Sequence, residues 1–253
     1  MSKHIKYQWR ITKYNPIFRN NQGHYTRVLE WTSPSDIGKN IYGETFSLEE
    51  YVKIETAYID TTMKFLEVNN IKSLRILNMT YIDIDKDPVL YDKEIDNLQL
   101  KNDQEVSVEH IRLISKMVLR GFIYCNFIST DFFVHFGDEY YMFIGTNNYQ
   151  EEPLKFAEEQ NLFVEEMVSP FYIKEENIIR MIIWTEINDD LVTGEEFLND
   201  ISLEEYRQIL HLSDINPVLG IFPITSSNKD FFQKKIRHKM DFNKYEYYLD
   251  AGN

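Results

Sequence analysis

The sequence is poor in the residues and segments that build disulfides, zinc clusters and membrane spans. Cys125 is the one cysteine among 253 residues, so an internal disulfide and a cysteine-based zinc site are excluded. No run of about eighteen apolar residues occurs, and the opening MSKHIKYQWR has no apolar segment of the kind that signal peptides carry. These absences predict a protein of the cytoplasm.

Glycine and proline are also scarce, with 9 and 7 residues, whereas tyrosine and phenylalanine each occur 17 times. A composition rich in aromatic residues and poor in turn formers favours sheets packed under helices over a loop-rich fold. Strands and helices alternate along the chain without a regular βαβ rhythm. We therefore expect an α+β protein with two mixed α/β domains and mostly antiparallel sheets.

The net charge of −14 is distributed unevenly. Residues 1–150 hold 17 basic and 20 acidic side chains, and residues 151–253 hold 10 basic and 21 acidic ones. The change coincides with the polar run 146–153, which predicts an N-terminal α+β domain at 1–148 and an acidic C-terminal α+β domain at 149–253. A dense acidic field repels phosphate groups, so nucleic acid and anionic membranes are disfavoured as partners, whereas a basic protein is attracted.

Two capping boxes predict where helices begin. Ser47 and Glu50 start a helix that runs to about Asn69, and Ser202 and Glu205 start another in the C-terminal half. Ser107 is expected to cap a further helix, which ends at a left-handed glycine at position 121.

Aromatic and apolar runs predict the strands. Residues 132–145 have the pattern of a β-hairpin, and 177–187 form a strongly apolar strand. A last helix is expected from near Ser227, with Phe232, Ile236 and Met240 on one face. The final KYEYYLD is expected to be an extended edge or strand.

The common catalytic motifs are missing. G-x-S-x-G, H-E-x-x-H, the Walker A sequence and G-x-G-x-x-G do not occur. Cys125 and His135 would form a thiol–imidazole pair only if the fold brought them together, and a cysteine in an aromatic strand is usually a small buried hydrophobic residue. The sequence therefore predicts no catalytic residues and a protein that is not an enzyme.

One stretch has the spacing of a calcium-binding loop. Asp83, Asp85, Asp87 and Glu94 stand where an EF-hand places its ligands. The sixth position of that loop needs a positive φ, but Pro88 occupies it and fixes φ near −65°. The loop therefore fails to close as an EF-hand does, and we expect neither a metal nor another cofactor.

The most unusual stretch is 186–205, which holds eight carboxylates and no lysine or arginine. We expect part of it to form a surface that binds a protein partner, on a loop between a strand and a helix. The alternative is an acidic face that is only solvated. The expected partner-binding residues are Glu186, Asp189, Asp190, Glu195 and Glu196.

Two groups of segments carry a family resemblance. The C-terminal runs are DDLVTGEEFLNDISLEEYRQIL, NPVLGIFPI and DFNKYEYYLDA, and the N-terminal ones are KYNPIFRNNQGHYTRVLEWTSPSDIGKNIYGETFSLEEY and FVHFGDEYYMFIG. They resemble uncharacterised bacterial domains, of which the C-terminal one often occurs in the immunity loci of polymorphic toxins. The resemblance implies a bacterial cytoplasmic protein that neutralises a toxin by binding it, and it implies no catalytic residues.

We therefore predict a non-enzymatic, immunity-type inhibitor that blocks a basic, nuclease-like toxin through an acidic surface. Two alternatives stay open. One is an enzyme of unfamiliar type with a site in the N-terminal domain around Trp31, Asp36, His110 and His135. The other is a regulatory or scaffold module whose two domains bind different partners.

Overall fold

A computed structural model describes residues 5–27, 30–172, 177–189 and 191–252. The chain divides into two compact units, Lys3–Phe171 and Tyr172–Asn253, called the N-terminal and C-terminal units below. Each unit combines helices with a sheet whose described strand pairs are antiparallel. The expected α+β class with mostly antiparallel sheets is confirmed. No helix among the described residues has the length and apolar character needed to cross a bilayer.

The N-terminal unit is built on a seven-stranded sheet with the order β5-β4-β6-β7-β8-β1-β9, beside a small β2-β3 pair. Its strands are β1 Tyr7–Thr12, β2 Asn40–Ile41, β3 Glu44–Thr45, β4 Ser73–Tyr81, β5 Glu105–Ser107, β6 Ile123–Ile128, β7 Phe132–Phe136, β8 Tyr141–Thr146 and β9 Phe163–Glu166. Its α-helices are α1 Leu48–Val68, α2 Val108–Leu119 and α3 Glu152–Glu159. Short 3-10 helices span Pro16–Phe18, Pro34–Asp36, Lys93–Leu98 and Asp138–Tyr140.

The helix starts in this unit follow from local side-chain chemistry. The Ser47 hydroxyl accepts a hydrogen bond from the Glu50 backbone, and the Glu50 carboxylate accepts one from the Ser47 backbone, which confirms the capping box of α1. Ser107 is the N-cap residue of α2 but makes no capping hydrogen bond through its side chain. Gly121 follows α2 with φ of +76°, as expected for a left-handed residue at a helix C-terminus.

One face of the large sheet carries the core of the unit. Trp9 and Ile11 of β1, Cys125 and Phe127 of β6, and Val134 of β7 belong to the same buried cluster as the apolar residues of α1 and α2. Side chains alternate between the faces of a strand, so the residues between these positions point to the other face. The confirmed hairpin β7–β8 lies in the middle of this sheet.

The boundary between the two units lies after residue 171, later in the sequence than the change in charge density near residue 150. Strand β9 pairs with β1, and α3 packs against α1, so residues 149–171 belong to the N-terminal unit and not to a C-terminal domain beginning at 149. Charge is a surface property, whereas domain limits follow from which segments share a core. With the observed division, residues 172–253 hold 15 acidic and 9 basic side chains.

The C-terminal unit is a four-stranded antiparallel sheet with the order β11-β10-β13-β12. Its elements are β10 Ile179–Glu186, β11 Val192–Phe197, α4 Leu203–Leu210, β12 Gly220–Ile224, α5 Lys229–Gln233 and β13 Tyr245–Gly252. The expected capping box of Ser202 and Glu205 is present at α4. The last strand, β13, lies between β10 and β12, so it is an inner strand of this sheet.

The last helix is shorter than expected, because α5 ends at Gln233. The Gln233 side chain donates to the His238 carbonyl over 2.9 Å and accepts from the Met240 backbone N–H over 2.8 Å, which closes a turn in place of further helix. Phe232, Ile236 and Met240 are nevertheless all buried. The apolar spacing predicted burial correctly, but it does not distinguish a helix from such a turn.

Candidate functional site

The acidic stretch folds as a hairpin, not as a loop between a strand and a helix. Strand β10 continues through a turn into β11, and the two strands pair from Met181 opposite Phe197 to Thr185 opposite Val192. Gly194 and the two glutamates beside it disfavour a strand in isolation, which is why β11 is not expected from the sequence. Pairing with the apolar strand β10 overrides that preference.

The hairpin is held in place by an aromatic cluster beneath it. The Trp184 indole stacks on the His238 imidazole with 4.1 Å between ring centroids and 9° between planes. His238 Nε2 lies 2.9 Å from the Tyr247 hydroxyl, which accepts a hydrogen bond from the Asp241 backbone over 2.9 Å. These contacts pack β10 against β13 and the 237–241 turn, so they support the paired strands of the hairpin from one face.

Three of the five expected partner-binding residues are exposed on this hairpin. Glu186 ends β10, Asp189 lies in the turn, and Glu195 lies on β11. Asp189 accepts a hydrogen bond from the Leu191 backbone over 2.9 Å, which shapes the turn. Asp190 lies outside the described residues.

The exposed carboxylates differ in whether a cationic side chain of this protein already lies near them. Glu186 is close enough to Lys244 to raise the pKa of that lysine, although the hydrogen bond of Lys244 to Tyr245 is the larger cause. Glu195, by contrast, has no cationic partner among the ion pairs of the described residues. Glu195 is therefore the carboxylate best placed to meet a partner.

Glu196 has a structural role. Its two carboxylate oxygens accept hydrogen bonds from the backbone N–H groups of Arg237 and His238, over 2.7 Å and 3.0 Å. Partial burial favours the neutral carboxyl, but these two donors outweigh that effect and lower the pKa of Glu196. Glu196 points to the opposite face from Glu195 and anchors β11 to the turn, so it is not part of an accessible acidic surface.

The same hairpin also exposes large apolar side chains, which the sequence pattern does not predict. Leu191 is 75% exposed, Phe197 54%, Val192 53% and Ile187 41%. Six large apolar residues are exposed in the described part of the C-terminal unit, and five of them lie in β10, β11 or the segment between them, the fifth being Ile179 at the start of β10. Apolar residues exposed together and bordered by charged ones are typical of a surface that binds another protein.

The side chains that form this feature are called the hairpin surface below. They are Glu186, Ile187, Asp189, Leu191, Val192, Glu195 and Phe197.

The N-terminal unit does not bring Cys125 and His135 together. Cys125 points into the helix-covered core, whereas His135 alternates with Val134 and Phe136 and faces the opposite side of the sheet. Burial raises the pKa of the Cys125 thiol and lowers the pKa of His135 to about 3. The imidazole is stacked on Phe133 and lies 2.9 Å from the Ser169 hydroxyl. The pair is therefore excluded as a nucleophile and its base.

The residues of the alternative enzyme site are spread over the unit. Trp31 is buried and stacked on Phe46 at 4.6 Å, and Asp36 completes the capping box of a 3-10 helix with Ser33. His110 is exposed on α2, while His135 is buried on the sheet. Each has a local structural environment of its own, and they do not share one pocket.

A groove of about 870 Å³ lies elsewhere in the N-terminal unit. Aromatic rings such as those of Tyr124 and Tyr141 line it, with carboxylates including Asp138. Arg120, the cation among its described lining residues, is occupied by Glu55 at 2.6 Å and by the Leu90 carbonyl. The groove therefore offers no available cation for an anionic ligand.

The stretch with EF-hand spacing is an exposed loop. Asp83, Asp85 and Asp87 follow β4 and are exposed, and the Asp87 side chain accepts a hydrogen bond from the Val89 backbone over 2.8 Å. Within the described ranges of the chain, no group of three or more histidine, cysteine, aspartate or glutamate side chains is arranged to hold a metal ion.

One comparison with known proteins gave a match, and it lies within the C-terminal unit. A family model described as a domain of unknown function, DUF7683, matches residues 179–250, which run from the start of β10 nearly to the end of β13. Neither the curated proteins nor the solved structures gave a match. The resemblance of the C-terminal segments to an uncharacterised domain is thus shown, and the matched region contains the whole hairpin surface.

Proposed function

We propose that this protein binds a basic protein partner through the hairpin surface of its C-terminal unit. The observation that carries the proposal is that one hairpin exposes both apolar side chains, including Leu191 and Phe197, and the carboxylates of Glu186, Asp189 and Glu195. Apolar contact supplies affinity at the centre of an interface, while charge at its border favours encounter with a partner of opposite sign.

The packing of the paired strands supports this role. Because Trp184, His238 and Tyr247 pack together beneath them and Glu196 ties β11 to the 237–238 backbone, the strand that carries Glu195 and Phe197 needs little ordering when a partner binds. A preorganised surface loses less conformational entropy on binding than a mobile loop does.

The finer proposal is an immunity-type inhibitor in a bacterial cytoplasm. The resemblance of the C-terminal segments to domains of toxin immunity loci supports it, and so does the acidic character of the surface. A toxin that acts on nucleic acid needs a cationic groove, and an acidic inhibitor that covers the groove competes with the phosphate backbone. On this proposal the protein acts by binding and carries out no reaction.

Affinity capture tests the proposal. The tagged full-length chain is incubated with lysate of its source cells, and bound proteins are identified after washes at low and at high salt. We expect a basic protein that is retained at low salt and released at high salt, because exposed charges are screened as ionic strength rises. Purification of that protein and measurement of its activity with and without the chain then test inhibition.

Two variants that each lose three negative charges test whether capture of the partner depends on the hairpin surface. The hairpin variant carries Glu186→Gln, Asp189→Asn and Glu195→Gln, and the control variant carries Glu204→Gln, Asp214→Asn and Asp230→Asn, which are exposed elsewhere in the same unit. We expect the partner to be lost from the hairpin variant and kept by the control. A partner that is kept equally by both variants contradicts the proposal.

A further inference from the structure

Strand β11 forms an open edge of the C-terminal sheet. In the described part of the chain, β10 is the strand that pairs with β11, and the sheet ends there. An edge strand has backbone N–H and C=O groups that can pair with a further strand.

The direction of these groups follows from one hydrogen bond. The Leu198 N–H donates to the Arg180 carbonyl over 2.9 Å, so the backbone groups of Leu198 point toward β10. In an antiparallel ladder the backbone groups of alternate residues point to the same neighbouring strand. The backbone N–H and C=O groups of Glu196 therefore also point toward β10, while those of Glu195 and Phe197 point outward. The open edge thus presents two backbone donors and two acceptors.

The two ends of the sheet differ in how they are protected. At the opposite edge, Pro223 of β12 lacks a backbone N–H, which is a common way to prevent pairing at an edge. Strand β11 has no proline or lysine. Its ladder with β10 shifts register between Trp184 and Thr185 but is regular from Gly194 to Phe197, where the outward-facing residues Glu195 and Phe197 are both exposed. The sheet is therefore open to strand addition along residues 194–197 of β11.

The side chains at this edge define what kind of strand fits. Glu195 and Phe197 are two residues apart and project on the same face, because side chains alternate along a strand. The pairing is stabilised when the residue opposite Glu195 carries a positive charge and the residue opposite Phe197 has an apolar side chain. The matching strand therefore carries a basic and an apolar residue two positions apart.

Pairing of β11 with a second copy of itself is disfavoured by charge. The stretch 186–205 holds eight carboxylates and no lysine or arginine, so a second copy brings further negative charge to this edge and no cation from the same stretch to balance it. Like charges that face each other across strands are destabilising. A basic segment of another protein is the occupant that this edge favours.

We propose that β11 binds its partner by strand addition, with an extended basic segment of that partner pairing to the backbone of Glu195 and Phe197. This inference rests on the proposed function and adds the chemistry of recognition to it. Backbone hydrogen bonds would supply affinity, and the paired charges and the Phe197 side chain would select the sequence.

Peptide binding tests the main-chain pairing. The probe is the end-capped peptide Thr-Lys-Thr-Val-Thr-Lys-Thr, titrated into the full-length chain at low salt. The first control is the same peptide N-methylated at its lysine and valine residues, which keeps the charge but removes the N–H groups that would face Glu195 and Phe197. The second control has glutamate in place of lysine. We expect each control peptide to bind at least about tenfold more weakly than the probe.

Amide hydrogen exchange locates the pairing without a substitution. In the free chain the N–H groups of Glu195 and Phe197 should exchange rapidly, while those of Glu196 and Leu198 are protected by β10. Addition of the peptide, or of the protein captured as described above, should slow exchange at Glu195 and Phe197.

Two substitutions at one position give a matched test. Phe197→Ala keeps the outward N–H, whereas Phe197→Pro removes it on the side that faces away from β10, so the existing ladder is retained. We expect both variants to bind more weakly, with the proline variant about tenfold weaker than the alanine variant. The near-ultraviolet circular dichroism of each variant establishes that it is folded.

The outcomes separate the inference from the function on which it rests. If a basic partner is captured through the hairpin surface but the Glu195 and Phe197 amides stay unprotected, strand addition is wrong and the proposed function stands. If the N-methylated peptide binds as tightly as the probe, the inference is again overturned. If the chain dimerises and the two amides are protected without any partner, a second copy is the occupant.

Discussion

The Trp184 indole lies directly over Gly194, the residue opposite it across the β10–β11 ladder. A Cβ atom at position 194 would lie 2.3 Å from Trp184 Cζ2 and 2.6 Å from Cε2, well inside van der Waals contact. The indole also stacks on the His238 imidazole, so moving the ring away from position 194 disturbs that contact. The glycine is therefore what allows β11 to pair closely with β10 and to hold the hairpin surface.

Gly194→Ala should destabilise the C-terminal unit by about 1 to 3 kcal/mol, because the methyl group displaces either the indole or the strand. Hydrogen exchange in increasing denaturant, resolved for peptides from β10 and β11, measures the loss. Gly252→Ala is the matched control in the same sheet, since a Cβ there meets only the Asp250 carboxylate, at 3.9 Å. Equal stability of the Gly194→Ala variant and the control contradicts the assigned packing.

The two neighbouring glutamates of β11 should respond differently to the same substitution. Glu196→Gln weakens the hydrogen bonds to the Arg237 and His238 backbone and should cost about 1 to 2 kcal/mol of stability, whereas Glu195→Gln should leave stability within about 0.5 kcal/mol. Glu195→Gln should instead weaken binding of the partner. Partner binding that depends on Glu196 and not on Glu195 would refute the assignment of roles.

The pH dependence of the free energy of unfolding gives a second test of the role of Glu196. Its pKa is lower in the folded chain than the ordinary value of 4.5, so its contribution to stability is complete above pH 4.5 and is lost as the pH falls through the folded pKa. The stability difference between wild type and Glu196→Gln should therefore shrink below pH 4.5. A difference that grows with acid would show that the carboxyl is favoured in its neutral form.

Of two ion pairs made by α1, the buried one should contribute more to the stability of the N-terminal unit than the exposed one. Glu55 and Arg120 are 3% and 8% exposed and approach to 2.6 Å, so Glu55→Gln leaves a buried guanidinium without its carboxylate and should cost about 3 to 5 kcal/mol. Asp60→Asn on the same helix removes an exposed pair with Arg112 and should cost less than about 1 kcal/mol. Denaturant unfolding of the two variants is the measurement, and similar losses would contradict the difference in burial.

His135 should make the N-terminal unit less stable in mild acid. The unfolded chain takes up a proton near pH 6.5, whereas burial holds the folded pKa near 3, so stability falls as the pH decreases between these values. From pH 6.5 to pH 5 the wild type should lose about 2 kcal/mol that a His135→Gln variant does not lose. His110→Gln, at an exposed position on α2, should keep the wild-type profile, and unfolding at each pH checks both.

Local signals in the sequence predicted much of the fold. The capping boxes at Ser47 and Ser202 and the glycine after α2 each depend on groups a few residues apart, and the structure has them where they were expected. The burial of Phe232, Ile236 and Met240 was also predicted, although the chain leaves the helix at Gln233 because its side chain hydrogen-bonds to residues farther along.

Features that depend on distant residues were not predictable in the same way. Strand β11 exists because it pairs with β10, and β9 belongs to the N-terminal unit because it pairs with β1. The stretch 186–205 was recognised as acidic, but its charges do not reveal that Glu196 turns inward while Glu195 and Phe197 form an open edge. That distinction requires the register of the hairpin, which a single sequence does not contain.

The most direct test of the central claim is the association rate of the captured partner with the chain, measured by stopped-flow at increasing ionic strength. The wild type and the Glu204, Asp214 and Asp230 control variant should associate rapidly, with rates that fall steeply as salt increases. The Glu186, Asp189 and Glu195 variant should associate several-fold more slowly, with a weaker dependence on salt. Equal rates and equal salt dependence for all three proteins would contradict binding through the hairpin surface.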